Sequence, residues 1–256
     1  MLDTQPLFRR IIIVGATSAI ANQCAKIWLT AQSAELILIG RDELKLKQIT
    51  SDLKIRSPQS SISSIFVNFL DEKSIQETTQ LICEERLPDI VLIAQGALPN
   101  QEECQHNLNV CRAALEINGI SPILFTEGFA KFMAKADFGR IIVIGSVAGD
   151  RGRQSNYVYG AAKAMVHRYI EGLQHRIAGH CHNLSILLVK PGPTATPMTR
   201  HLQAAGASLA SAETVALEIV EASNKHKTQL YTPKKWGIIM FLIRHLPSFI
   251  FNKIRI

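Results

Sequence analysis

Tyr159 and Lys163 stand four residues apart in the stretch GSVAGDRGRQSNYVYGAAKA, Gly145 to Ala164. Residues four apart share one face of a helix within side-chain reach. A phenol titrates near ~10, too high for proton transfer at neutral pH, and a neighbouring ammonium favours its anionic form. The pair therefore reads as an acid/base centre. Tyr157, six residues from Lys163, faces elsewhere. Ser146, thirteen residues before Tyr159, follows an apolar run and offers a hydroxyl that would hold a carbonyl oxygen beside the phenol. The eight histidines are scattered and none pairs with a serine or cysteine nucleophile. His167, four residues after Lys163, reads as a helix-surface or core histidine without a partner.

Alternating apolar strands and amphipathic helices must carry these groups. RRIIIVG, ELILIG, SISSIFVNF, DIVLIAQG, GRIIVIGS, NLSILLVKPG and TQLYT read as strands. Helices are expected from Ser18, over DELKLKQITSDLK with Asp42 as its cap, over DEKSIQETTQLICEER, across one long region from about Glu102 to Ala136, from Asn156 to Ile177 and around Ser211 to Ala222. Continuously apolar strands separated by helices imply an α/β fold, a doubly wound (Rossmann) parallel sheet covered on both faces. A single domain over residues 1–232 is expected, followed by a C-terminal segment, 233–256. Ligands of such sheets bind at the carboxyl ends of the strands.

At the first of those ends stands GATSAIA. Gly15 and the helix that follows would present backbone amides of Ser18, Ala19 and Ile20 to a pyrophosphate, with Thr17 and Ser18 hydroxyls as further donors. By itself this is also an ordinary strand-to-helix turn. The second strand ends in Gly40–Arg41. An arginine there meets the 2′-phosphate of NADP, where an acidic residue would select the free ribose of NAD. NADP is the expected cofactor and NAD the alternative. Asn68 and Phe69 at the end of the third strand, and Ala94, Gln95 and Gly96 after the fourth, fall near the adenosine half.

Taken together, Gly15 after the first strand, Ser146, and Tyr159 with Lys163 as YxxxK resemble the short-chain dehydrogenase/reductase family over about residues 10–232. The resemblance implies hydride transfer between a nicotinamide and a carbonyl carbon. Tyr159 is then the acid, Ser146 holds the oxygen, and Lys163 lowers the phenol pKa and binds the nicotinamide ribose. Asn118 in LEINGISP matches the family's helix asparagine, which supports a proton-relay water. PGPTATP matches the loop over the nicotinamide and brings Pro191, Gly192, Thr194 and Thr196 to the cofactor. Ala19 and Ala21 stand where the family has glycines, and Ala94 replaces the asparagine of its NAG turn.

Within the family, GATSAIA, AQGALPNQ and SVAGDRGRQSNYVYGAAKA are similar to reductases that act with a flavin oxidase to epimerise a decaprenyl-phosphoryl pentose. The resemblance implies a 2-keto sugar on a polyprenyl phosphate, a flavin oxidase partner and a homo-oligomer, with Arg151 and Arg153 binding the phosphate, against the alternative that Asp150, Arg151 and Arg153 form a surface or subunit-interface salt-bridge cluster. Two other readings stay open: a soluble NADPH-dependent ketone or 3-oxoacyl reductase, and a regulator that senses NAD(P) without turnover.

Charge distribution bears on the partner. The net charge of +7 arises entirely after Ala222, where seven Lys/Arg occur without one Asp or Glu; the first 221 positions hold 21 of each sign. These basic residues flank WGIIMFLI, Trp236 to Ile243, a pattern of interfacial membrane segments. Arg244, His245 and Pro247 interrupt it well short of the ~20 apolar residues of a span. Peripheral membrane contact is expected, against the alternative that the segment packs on the domain or a sister subunit. A nucleic-acid partner is not, because the basic residues do not form a face with aromatic readers. Five scattered cysteines show neither disulfide nor zinc spacing, so no metal is expected. With no apolar leader before the first strand, a cytoplasmic protein is expected.

Overall fold

The computed structural model describes residues 9–204 and 206–254. The first eight residues, on which the expectation of no leader rests, lie outside it, as do Arg255 and Ile256 of the tail. Seven parallel strands form the main sheet in the order β3-β2-β1-β4-β5-β6-β9. They are β1 (Arg9–Val14), β2 (Ala34–Gly40), β3 (Ser61–Phe66), β4 (Ile90–Ile93), β5 (Arg140–Ile144), β6 (Ser185–Pro191) and β9 (Gln229–Thr232); β7 (Thr194–Ala195) and β8 (Ala210–Ser211) form a separate small ladder. The helices are α1 (Ala19–Ala31), α2 (Glu43–Arg56), α3 (Glu72–Glu85), α4 (Gln101–His106), α5 (Leu108–Leu115), α6 (Ser121–Ala136), α7 (Tyr157–Ala178), α8 (Arg200–Ala204), α9 (Ala212–Asn224), α10 (Lys235–His245) and α11 (Ser248–Phe251).

The β1 sequence shows why both sheet faces are dry. Side chains alternate along a strand, so Ile11 and Ile13 join the cluster under α1 and α9, with Trp28, Val215 and Ile219. Ile12 and Val14 join the opposite cluster under α3, α6 and α7, with Ile82, Phe125, Phe129 and Ile170. Each such side chain is worth roughly 1.5–3 kcal/mol on burial. Because every main-sheet pairing is parallel, all the strand tips lie on one edge. The strand order switches direction between β1 and β4, which opens a crevice there.

Two expectations change. The helical region from Glu102 to Ala136 is divided. Asn107 ends α4 and its side chain accepts the Asn109 and Val110 amides to start α5, and a π turn over Glu116–Ile120 precedes α6. The cue was HNLN, an asparagine in position to cap a helix. The third strand stops at Phe66, short of Asn68 and Phe69.

The C-terminal segment is helical and packs on the domain with one side. Met240 is buried, Trp236 lies against Gly192, and Arg151 donates to the carbonyls of Ile243 and Leu246 at 2.6 Å each and of Arg244 at 3.2 Å. The same guanidinium sits 4.0 Å from the Phe251 ring centroid. It therefore closes the open carbonyl end of α10. The other side exposes Ile238, Phe241, Leu242, Phe249 and Ile250. Among the described residues no helix is long and apolar enough to cross a membrane.

Candidate active site

A cavity of about 680 Å³ opens at the carboxyl edge of the sheet and gathers groups from every strand tip near the crevice. Tyr159 and Lys163 line it from the first turns of α7, and Ser146 lines it from just beyond β5. Lys163 is buried, and its Nζ donates to the Ile144 carbonyl at 3.0 Å. That bond fixes α7 on the tip of β5. The Nζ lies 5.9 Å from the Tyr159 ring centroid. Tyr157 is exposed, as its spacing required.

The Ser146 hydroxyl accepts the Ala148 amide at 3.1 Å and hydrogen-bonds the Tyr159 phenol. Accepting from Ala148 leaves the hydroxyl proton free for donation. Burial raises the Tyr159 pKa against the opposing pull of Ser146, so the phenol is protonated at neutral pH. Burial pushes Lys163 down to about 8. A cation that still carries its proton at pH 7 thus stands near a phenol that still carries its own.

The dinucleotide end takes its shape from glycine. Gly15 has φ +80°, and a Cβ there would lie 2.5 Å from the Gln95 amide nitrogen. Only glycine allows this turn and this approach of β1 to β4. Ser18 occupies the N-cap of α1 without capping it, so its hydroxyl and the first helix amides suit an anion. Thr17, Ala19 and Ile20 line the cavity with Ser18, as does Arg41 beyond the tip of β2. Asp42 caps α2 instead, accepting the Lys45 amide at 3.1 Å. Phe69, Ala94, Gln95, Gly96, Pro191, Gly192, Thr194 and Thr196 complete this part of the lining. These features fit a dinucleotide: a glycine cradle, a helix end for the pyrophosphate and an arginine at the ribose position.

Two expected residues, Asn68 and Arg151, stand away from the cavity, and Asn118 and Arg153 have partners or surroundings of their own. Asn68 is exposed, accepts the Leu70 amide and does not line the cavity. Asn118 is buried beside Gly96 and Lys163, but its Oδ1 accepts the Ala97 amide and its Nδ2 donates to the Ala114 carbonyl, both at 2.9 Å. With these two bonds it holds the loop after β4 to the π turn. Arg151 is corrected from phosphate ligand to tail clamp, because the α10 carbonyls occupy it. Arg153 alone of the two arginines lines the cavity, and its Nε is buried without a hydrogen-bond partner.

Sequence reasoning missed Trp236 and Asn156. Trp236 is not a free membrane anchor: its indole forms a cavity wall, and a Cβ at Gly192 would meet its Nε1 at 1.9 Å. Nothing near Gly192 in the chain announces this contact. Asn156 borders the cavity at the start of α7 with its Oδ1 buried and unpartnered.

The family model of short chain dehydrogenases matches residues 9–206. The chain belongs to this family. It is an NAD(P)-dependent oxidoreductase by that membership. An uncharacterized oxidoreductase of Staphylococcus epidermidis is 25% identical over 73% of this chain and 79% of its own. One of Mycobacterium tuberculosis is 24% identical over 95% of this chain and 96% of its own, so the likeness runs into the C-terminal segment. Among solved structures, a short chain dehydrogenase from Burkholderia cenocepacia in complex with NADP superposes with TM-score 0.79 at 16% identity, over 97% of this chain and 98% of that one. Levodione reductase superposes with TM-score 0.78 at 18% identity, over 90% and 98%.

The Lys163 pKa sets a pH limit. Below about 8 the ammonium is charged and would favour a phenolate on Tyr159 if that residue gives up its proton; above it that help would be lost. Ketone reduction should be level through neutrality and fall above about pH 8. Lys163→Arg, which stays charged, should move the falling limb upward; a wild-type rate unchanged to pH 9.5 contradicts this.

Proposed function

We propose that the protein reduces a ketone to an alcohol with NADPH, and that the ketone is a 2-keto sugar carried on a polyprenyl phosphate. The observation that carries the first part is one cavity lined both by the Ser146, Tyr159 and Lys163 cluster and by the Gly15 turn with Arg41. A bound nicotinamide supplies the hydride. Tyr159 protonates the oxygen that becomes the alcohol, Ser146 donates to the same oxygen, and Lys163 holds the resulting phenolate by its charge. Asn118 keeps the Gly96–Ala97 loop in place beside Lys163.

The sugar-phosphate part rests on Arg153 and Asn156. A guanidinium whose Nε lacks a partner and an amide oxygen in the same condition border one cavity. Buried polar atoms left unpaired are costly, and a phosphorylated sugar would satisfy both kinds, with phosphate for Arg153 and a hydroxyl for Asn156. Burial pushes the Arg153 pKa down, with Asp150 acting in the opposite direction; a phosphate would reinforce the cation. The lipid part is supported by the outer faces of α10 and α11, where exposed Ile238, Phe241, Leu242 and Phe249 are flanked by Lys234, Lys235, Arg244 and Lys253. Uniform positive charge opposes a second copy on this face and suits an anionic membrane. Trp236 joins that helix to the cavity wall.

NADPH oxidation should be faster by at least tenfold in kcat/KM with a polyprenyl-phosphoryl 2-keto-pentose than with a small neutral ketone. Arg153→Ala should raise KM for the former much more than for the latter. Equal effects would sink the phosphate reading, and preference for the neutral ketone would favour a soluble reductase. The full chain should float with phosphatidylglycerol-containing vesicles. Phe241→Ser combined with Leu242→Ser, on the exposed face, should abolish flotation; equal flotation of wild type and variant rules out this surface.

A further inference from the structure

Beside Ser146 lies a buried polar group that the proposed reaction does not use. Asp150 accepts from Lys190 Nζ at 2.9 Å and from the Tyr231 hydroxyl at 2.7 Å, and its Oδ1 lies 3.5 Å from His167 Nδ1. The side chains of Asp150, His167 and Lys190 are each no more than 4% exposed. On its other edge the imidazole Nε2 receives the Ser146 backbone amide at 3.4 Å. The ring fills space that two glycines leave: a Cβ at Gly145 would lie 2.6 Å from Nε2, and one at Gly149 2.7 Å from Cε1. Gly145 and Gly149 bracket Ser146 and the short turn after it.

We propose that His167, oriented by Asp150, is a positioning residue that holds the Ser146 turn in register with Tyr159. A neutral histidine that accepts an amide at Nε2 must carry its proton on Nδ1, the nitrogen that lies 3.5 Å from the Asp150 carboxylate. Burial raises the Asp150 pKa, but hydrogen bonds from His167, Tyr231 and Lys190 outweigh it and hold the carboxyl well below the usual range. Burial pushes the His167 pKa down, against the pull of Asp150, which keeps the imidazole neutral at pH 7. Both protonation states match the roles assigned.

The arrangement also joins three borders of the cavity. Asp150 ends the Ser146 turn, Lys190 immediately precedes Pro191 in the nicotinamide-side loop, and Tyr231 stands in β9 just before the tail that carries Trp236. One carboxylate holds all three at fixed spacing. Small displacements of reacting groups cost large factors in rate, up to ~10²-fold for about 1 Å, so loss of this support should appear in turnover more than in cofactor binding.

The proposal rests on the reductase reading for its kinetic test and not on the sugar-lipid substrate, so NADPH oxidation with a small soluble 1,2-diketone suffices. His167→Phe keeps a planar ring but accepts no amide, whereas His167→Gln keeps an acceptor. His167→Phe should lower kcat about tenfold or more with KM for NADPH within about twofold, and His167→Gln should recover most of the loss. In full-length protein, hydrogen exchange over residues 145–149 should quicken in the Phe variant and return toward wild type in the Gln variant. This second readout decides the matter even if the diketone is not turned over, an outcome that would count against the reductase reading alone. Unchanged exchange in His167→Phe, or equal loss of protection in both variants, overturns the proposal. If His167→Phe does not fold, Tyr231→Phe carries the test: faster exchange over residues 145–149 supports it, and wild-type exchange overturns it.

Discussion

The Lys163 ammonium is buried at the junction of β5 and α7, with its Nζ on the Ile144 carbonyl. An unpaired cation in such a place is unfavourable, and the surrounding structure makes it tolerable and useful. The bond to Ile144 sets the height of α7 on the sheet, and that height puts Tyr159 level with Ser146. Gly96 lets the loop after β4 pass close to Asn118, since a Cβ there would lie 3.0 Å from its Oδ1. Asn118, by engaging Ala97 and Ala114, holds that loop and the π turn together. The proposed catalytic cluster is in this sense a consequence of where one charge is allowed to sit.

Much of this was legible in the sequence because it depends on short spacings. Four residues from Tyr159 to Lys163 decide which tyrosine faces the lysine, and two-residue alternation in RRIIIV predicts a strand buried on both faces. Gly15 and Arg41 follow directly from their places at strand tips. What the sequence concealed are partners brought together by the sheet. Arg151 stands more than ninety residues from the carbonyls it caps, and Trp236 meets Gly192 only because β9 lies beside β6. His167 looked solitary because Asp150, seventeen positions earlier, approaches it only after the chain has turned through Gly149. The single long helix expected between Glu102 and Ala136 failed for a local reason, the capping asparagine at 107.

The two arginines after the catalytic strand illustrate how position decides role. They differ by two residues, yet one is spent on backbone carbonyls of the tail and the other borders the cavity with an unpartnered nitrogen. The clamp at Arg151 and the indole of Trp236 make the basic, apolar tail continuous with the site. The proposed substrate, which combines an anion with a long hydrocarbon chain, would give both features a common use.

The central claim is that Tyr159 is the proton donor of a carbonyl reduction, and single substitution of each tyrosine tests it most directly. General acid catalysis contributes about 10² to 10⁴ in rate. Tyr159→Phe should lose at least ~10²-fold in kcat while binding NADPH nearly as well as wild type, and Tyr157→Phe should turn over normally. A Tyr159→Phe protein with near wild-type kcat would contradict the account.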